Sequence, residues 1–191
     1  MSKPKILAFA GSTRRGSWNQ QLLQVAVSAA EQAGAAVTCV ELADFPLPLF
    51  SEDLERESPP ENLKALQRMF AENQGLLIAS PEYNSSITPL MKNTIDWVSR
   101  PFDDRPPLAA YQNKVAGLLA ASPGALGGLR GLVHLRAILQ NIGVMVVPDQ
   151  FALSRAGAAF DDAGALTAEP TLKFVNSVAQ AVVQTTARLH V

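Results

Sequence analysis

The sequence predicts an α/β protein with a doubly wound, five-stranded parallel sheet and helices on both faces. Two observations carry this. Five short apolar runs alternate with longer segments of helical periodicity, the order expected of consecutive β-α units. The third and fourth runs, Gly75 to Ser80 and Lys114 to Ala121, are almost wholly apolar rather than alternating. Strands covered on both faces read that way.

Taken in order, Lys5 to Ala10 is the first strand. A helix follows Gly16, with Leu22, Val25, Ala26, Ala29 and Ala33 at helical spacing. Ser17 with Gln20 reads as a capping box at its start, and Gly34 as its stop. Ala36 to Leu42 is the second strand, on which Cys39 is expected to be buried and inert. Phe45 to Pro60 is Pro-rich and acidic and reads as a long loop. Asn62 to Asn73 is the second helix. Thr88 to Ser99 is the third, ending before Pro101. Gly128 to Asn141 is the fourth, stopped by Gly143, and Val144 to Pro148 is the fifth strand. Gly157 to Ala168 is irregular. The last helix begins near Pro170, with Leu172, Val175, Ala179, Val182, Val183 and Thr186 on one face. His134 falls mid-helix at a surface or interface position, His190 in a frayed terminus, and Asp103-Asp104-Arg105 in a solvated turn. A single domain spanning residues 1–191 is expected, by length.

Composition excludes several classes. With 48% hydrophobic and 17% charged residues the chain is not intrinsically disordered. Sixteen Lys and Arg against 17 Asp and Glu leave a net charge of -1, which argues against nucleic-acid binding. One cysteine excludes an internal disulfide framework, and two distant histidines, His134 and His190, argue against a metal site. The apolar run Ile6 to Ala10 is too short for a signal peptide, and no stretch approaches the roughly 20 residues of a membrane span. The expectation is a cytoplasmic protein.

In doubly wound sheets, ligands bind beyond the carboxyl ends of the strands at the switch point. Three post-strand loops carry unusual composition. Gly11 to Gln20 follows a strand and opens a helix, where free N–H groups and the helix dipole favour an anion. It lacks both the nucleoside-triphosphate loop and the G-x-G-x-x-G pattern, so a single phosphate monoester fits best. Pro81 to Trp97 opens with Pro81-Glu82-Tyr83-Asn84-Ser85, in which Tyr83 offers a flat face for a planar ring. A plain β-turn at Tyr83 and Asn84 is the less favoured reading; simple helix packing is favoured for Ile95 and Trp97. Ala121 to Gly128 has three glycines and a proline, which let backbone approach a ligand.

These residues carry a resemblance. Gly11-Ser12-x-Arg14-x-x-Ser17-x-Asn19, then Pro81-Glu82-Tyr83-Asn84, then Lys92-Asn93-x-Ile95-Asp96-Trp97 resemble the NADPH-dependent FMN reductase family. The likeness spans roughly residues 5 to 150. It implies a flavodoxin-like fold, one FMN at the interface of a homodimer or homotetramer, and NADPH or NADH as donor. By that resemblance Ser12, Arg14, Ser17, Asn19 and Gln20 hold the FMN phosphate, and Gly11 belongs to the cofactor site. Pro81, Glu82, Tyr83, Asn84 and Ser85 lie along the ring, with Ser122 and Gly124 flanking it. The chain departs from the family at Ser85, where members usually have Gly. The implied reaction is ping-pong hydride transfer through FMN to quinones, azo compounds, metal oxyanions or free flavin. Arg14 or Arg15 is expected to meet the 2'-phosphate of NADPH. No side-chain acid, base or nucleophile is needed. The alternatives are an electron carrier, disfavoured by the missing acidic surface, and a flavin-binding sensor whose Pro-rich loop meets a partner. That loop is more simply read as a wall of the pocket or of the subunit seam.

Overall fold

A computed structural model describes residues 3–190. Its strands and helices run β1 (Lys5–Ala10), α1 (Trp18–Gln32), β2 (Ala36–Val40), α2 (Glu52–Glu57), α3 (Leu63–Glu72) and β3 (Gly75–Ala79). They continue with β4 (Glu82–Tyr83), β5 (Ser86–Ile87), α4 (Pro89–Val98), β6 (Val115–Ala121), α5 (Leu129–Asn141), β7 (Met145–Leu153) and α6 (Glu169–Leu189). Five strands form one parallel sheet in the order β2-β1-β3-β6-β7; β4 and β5 pair antiparallel as a separate hairpin. The predicted fold class is therefore the one observed.

The period of two along each strand sorts the core into two layers. On β1, Ile6, Ala8 and Ala10 face α1 and α6, while Leu7 and Phe9 face the layer built by α3, α4 and α5. Every residue of β3 and β6 is buried, as their unbroken apolar runs predict. Gly117 on β6 has a packing reason: a Cβ there would sit 2.6 Å from Val182 Cγ2 of α6. The helix lies on the sheet only because that atom is missing.

Several expectations are corrected. Cys39 is exposed, not buried, because β2 is an edge strand and only Val40 in it is fully covered. Burial of its thiol sulfur is nonetheless sufficient, with the Glu31 charge, to push the thiol pKa up. The Phe45 to Pro60 stretch is not all loop: it contains α2, capped by the Ser51 hydroxyl and rich in acid in its first turn. The capping box is absent. Ser17 occupies the N-cap of α1 but its side chain makes no capping bond. The Gln20 amide instead reaches Ser12 O, at 3.3 Å, and the Glu41 carboxylate. The last strand runs on to Leu153 through Pro148, because a bulge between the Ala116–Val146 and Leu118–Gln150 pairs takes up the proline. Arg136 fills that bulge, donating to the carbonyls of Val146 and Val147 and to Gln150 Oε1. His190 is tied down through a 3.0 Å contact between Nε2 and Asn113 O. His134 is exposed, and Asp103 is ion-paired with Arg68 at 2.5 Å.

Candidate functional site

The switch point lies between β1 and β3, and the loops after β1, β3 and β6 meet there. The first loop leaves β1 with Gly11 N–H bonded to Ala79 O on β3, at 2.8 Å. A turn closed by Ser17 N–H on Arg14 O, at 3.2 Å, then aims the chain into α1. The first intrahelical bond is Gln21 N to Ser17 O, so the N–H groups of Trp18, Asn19 and Gln20 have no intrahelical acceptor. Ser17 is 2% exposed and Ser12 7%, and the first turn of α1 carries no acid. A buried hydroxyl free of capping duty beside three free N–H groups is a donor set suited to a phosphate. The Arg14 guanidinium adds charge at the rim, stacked 5.3 Å from the centre of the Trp18 ring.

The second loop is a hairpin. Asn84 and Ser85 have φ of 50° and 67°, the left-handed pair of a two-residue primed turn between β4 and β5. The turn projects Tyr83, 54% exposed, from the hairpin. Two hairpin side chains, Glu82 and Ser86, lock the hairpin to α5. The Glu82 carboxylate accepts from Gly131 N–H at 3.0 Å and from Arg130 Nε at 2.9 Å. Ser86 Oγ lies 2.9 Å from His134 Nδ1. Burial pushes the Glu82 carboxyl up, but the Gly131 N–H and the Arg130 guanidinium outweigh it, and the net direction is down. Glu82 thus caps α5 from outside the helix. A third tie reaches back to the first loop: Thr88 Oγ1 donates to Gly11 O at 2.9 Å and accepts from Met91 N at 3.1 Å.

The third loop is held by β7. Ser122 N–H donates to Leu153 O at 3.0 Å, and Ala156 N–H to Ser122 O at 3.1 Å. Gly127 has φ 64°, and a Cβ on it would lie 2.7 Å from the Ala152 carbonyl, so only glycine fits. Asn19 joins this loop to the first, its amide exchanging bonds with the Ala121 backbone at 2.8 and 2.9 Å.

The loops enclose a cavity of about 140 Å³. It is lined by Ser12, Arg14, Ser17 and Asn19 from the first loop and α1, by Pro81, Glu82 and Tyr83 from the second, and by Ser122 from the third. A second cavity of about 360 Å³ shares Ser12, Arg14 and Tyr83 with the first and is bounded by Gly11 and Leu90. This is a phosphate-sized donor cradle beside a slot edged by an aromatic ring.

The NADPH-dependent FMN reductase family matches residues 4–158. The chain belongs to this family. It is 32% identical over 163 residues to a quinone reductase from Pseudomonas putida, covering 84% of this chain and 83% of that protein. It is 33% identical over 180 residues to an NAD(P)H-dependent FMN reductase from Pseudomonas aeruginosa, covering 93% and 92%. Among solved structures, a flavoenzyme NAD(P)H:(acceptor) oxidoreductase from Paracoccus denitrificans superposes with a TM-score of 0.82 at 26% identity, covering 97% and 98%.

Of the residues singled out in the sequence, nine line the two cavities of this FMN reductase family member: Gly11, Ser12, Arg14, Ser17, Asn19, Pro81, Glu82, Tyr83 and Ser122. Four do not. Gln20 braces the first loop against Glu41, Asn84 and Ser85 form the hairpin tip, and Gly124 sits one turn beyond Ser122. Sequence reasoning missed Trp18, Thr88, Arg130 and His134. Trp18 stood inside the loop with no separate signal. Thr88 stood in the second loop as a helix start, and Arg130 and His134 act from α5, distant in sequence. Among the described residues no group of three or more His, Cys, Asp or Glu stands together as a metal site, and no helix is long and apolar enough to cross a membrane.

Proposed function

We propose that this chain is an FMN-dependent NAD(P)H oxidoreductase acting on quinones, with azo compounds, metal oxyanions and free flavin as further acceptors. The observation that carries the reading is Ser17: a buried N-cap hydroxyl that caps nothing and lines the cavity at the start of α1. Its donor set fits the 5'-phosphate of FMN. Ser12, Ser17 and the N–H groups of Trp18, Asn19 and Gln20 would bind that dianion, with Arg14 adding charge. The backbone of Pro81 to Ser85 would support the ring, with Ser122 and Gly124 on its other side.

FMN supplies the two-electron chemistry when bound. The chain's task is to position and exclude. The Glu82–Arg130 pair and the Ser86–His134 contact fix the hairpin, so that Tyr83 stays at the slot. Hydride transfer through FMN needs no side-chain nucleophile or general base. One slot serving donor and acceptor in turn gives ping-pong kinetics. Relatives named as quinone reductase and NAD(P)H-dependent FMN reductase support this reading.

The remaining assignments are ours as well. The whole chain forms one FMN-binding domain. Arg14 or Arg15 meets the 2'-phosphate of NADPH. Leu129 and Val133, one turn apart and exposed on α5, with exposed Leu126 beside them, support a homodimer or homotetramer. We assign the protein to the cytoplasm, where NAD(P)H is available to it.

The test is an absorbance spectrum after incubation with FMN and desalting, followed by anaerobic NADPH. Retained flavin bands that bleach, with steady NADPH oxidation once a quinone is added, are expected. Flavin that is retained but never turned over would make the protein a carrier or sensor.

A further inference from the structure

The cleft does not end at Tyr83. The second cavity shares Thr13 and Leu90 with a third, of about 330 Å³, that runs between α4 and the Pro-rich stretch. Its apolar walls are Leu42, Phe45, Pro46, Leu47 and Leu90; Thr13, Asn93 and Thr94 add polar atoms, and no charged residue lines it. The wall is pinned in place. Asn93 donates from Nδ2 to Pro48 O at 2.9 Å and accepts Phe50 N–H on Oδ1 at 2.8 Å. Trp97 Nε1 donates to the same Pro48 carbonyl at 2.7 Å, and the Phe50 ring meets Trp97 edge-on at 5.0 Å. A chain so fixed holds an apolar trough open, at a cost in exposed apolar surface.

We propose that this trough is the subsite for an apolar substituent on the electron acceptor, and that the preferred acceptor is a quinone bearing an alkyl or prenyl chain. The inference rests on the flavin reductase reading. A small oxyanion leaves the trough unused, and an acceptor with a charged arm would bury that charge against carbon. An apolar chain is the occupant that gains there. Its continuity with the cavity at Tyr83 lets a ring in the slot and its chain in the trough belong to one molecule. Overall, NAD(P)H and one proton reduce the quinone to the hydroquinone, leaving NAD(P)+; the chain on the ring takes no part in the bond changes.

The experiment compares two acceptors at saturating NADPH: 2-methyl-1,4-naphthoquinone, and the same ring carrying a two-isoprene chain. The wild-type protein is expected to favour the tailed quinone by about tenfold or more in kcat/KM. Ala43→Phe fills the trough from its rim and should abolish that preference, leaving retained FMN and the rate with the short quinone unchanged. Leu47→Asn, which leaves the space but makes the wall polar, should act in the same direction. Equal kcat/KM values in the wild type, or a preference untouched by both variants, would overturn the proposal. So would a variant that lowers the oligomer mass without changing the preference, since the trough would then belong to a second copy. If the wild type retains no FMN and reduces neither quinone, the flavin reading itself has failed.

Discussion

Asn19 and Ala121 exchange two hydrogen bonds across 102 residues of sequence: Nδ2 donates to the carbonyl at 2.8 Å, and the amide donates to Oδ1 at 2.9 Å. The pair clamps the start of α1 to the end of β6. The loop after β1 and the loop after β6 are therefore held at one spacing. Asn19→Ala would leave a buried N–H and a buried carbonyl unpaired, at a cost of about 2–3 kcal/mol. It should also weaken FMN retention. Chemical denaturation and flavin titration of the variant check both effects. Unchanged stability would show that the clamp is not energetically significant.

Ser85 takes a left-handed φ of 67° that serine adopts reluctantly. Ser85→Gly should stabilise the protein by about 0.5–1 kcal/mol, the relief of that conformation less the greater flexibility of glycine when unfolded. Ser85→Val should destabilise it. Urea unfolding of the two variants gives the sign, and a more stable valine variant would contradict the turn assignment.

Trp97 acts through its N–H as well as its bulk. Trp97→Phe keeps an aromatic ring in a fully buried site but removes the bond to Pro48 O. The expected loss is about 1 kcal/mol from the bond, with a further cost from the smaller ring. Residues 45–50 should become the first site of limited proteolysis. Cleavage elsewhere first would mean that the wall is held by other contacts.

Lys114 is 5% exposed and donates to Asn73 O at the end of α3, with no acid beside it. Burial, with the Arg105 charge adding to it, pushes its ammonium down from 10.5 to about 8. The folded state thus gives up this proton at lower pH than the unfolded state. Between about 8 and 10.5 the unfolded chain binds more protons, so stability rises with pH, by about 3 kcal/mol in total from this group. The increment is absent below about 8, where both states are charged. Lys114→Met should flatten the pH profile of stability across that window. A variant profile that still rises there would assign the effect to another group.

Much of this was legible because it is local. The unbroken apolar runs of β3 and β6 marked central strands, and Gly11 to Ser17 was placed between strand and helix, where it lies. What failed has physical reasons. Val37, Cys39 and Val40 look like a core strand, but sequence does not say that β2 forms the sheet edge, where Cys39 is left exposed. The prolines of the 45–60 stretch masked α2, although Ser51 followed by Glu52, Asp53 and Glu55 is a start signal. The hairpin hid because Asn84-Ser85 lacks the glycine that usually marks a primed turn. The pairs that fix the site, Asn19 with Ala121, Glu82 with Arg130 and Trp97 with Pro48, join distant segments and leave no periodic trace.

The central claim is that the start of α1 holds the phosphate of FMN. Its most direct test is flavin titration with FMN and with riboflavin, which differ only by that phosphate. A dianion against three N–H groups and two hydroxyls should favour FMN by about 100-fold or more in Kd. Equal affinity for the two flavins would contradict the account, because nothing at Ser12, Ser17 and the α1 N-terminus would then be reading a phosphate.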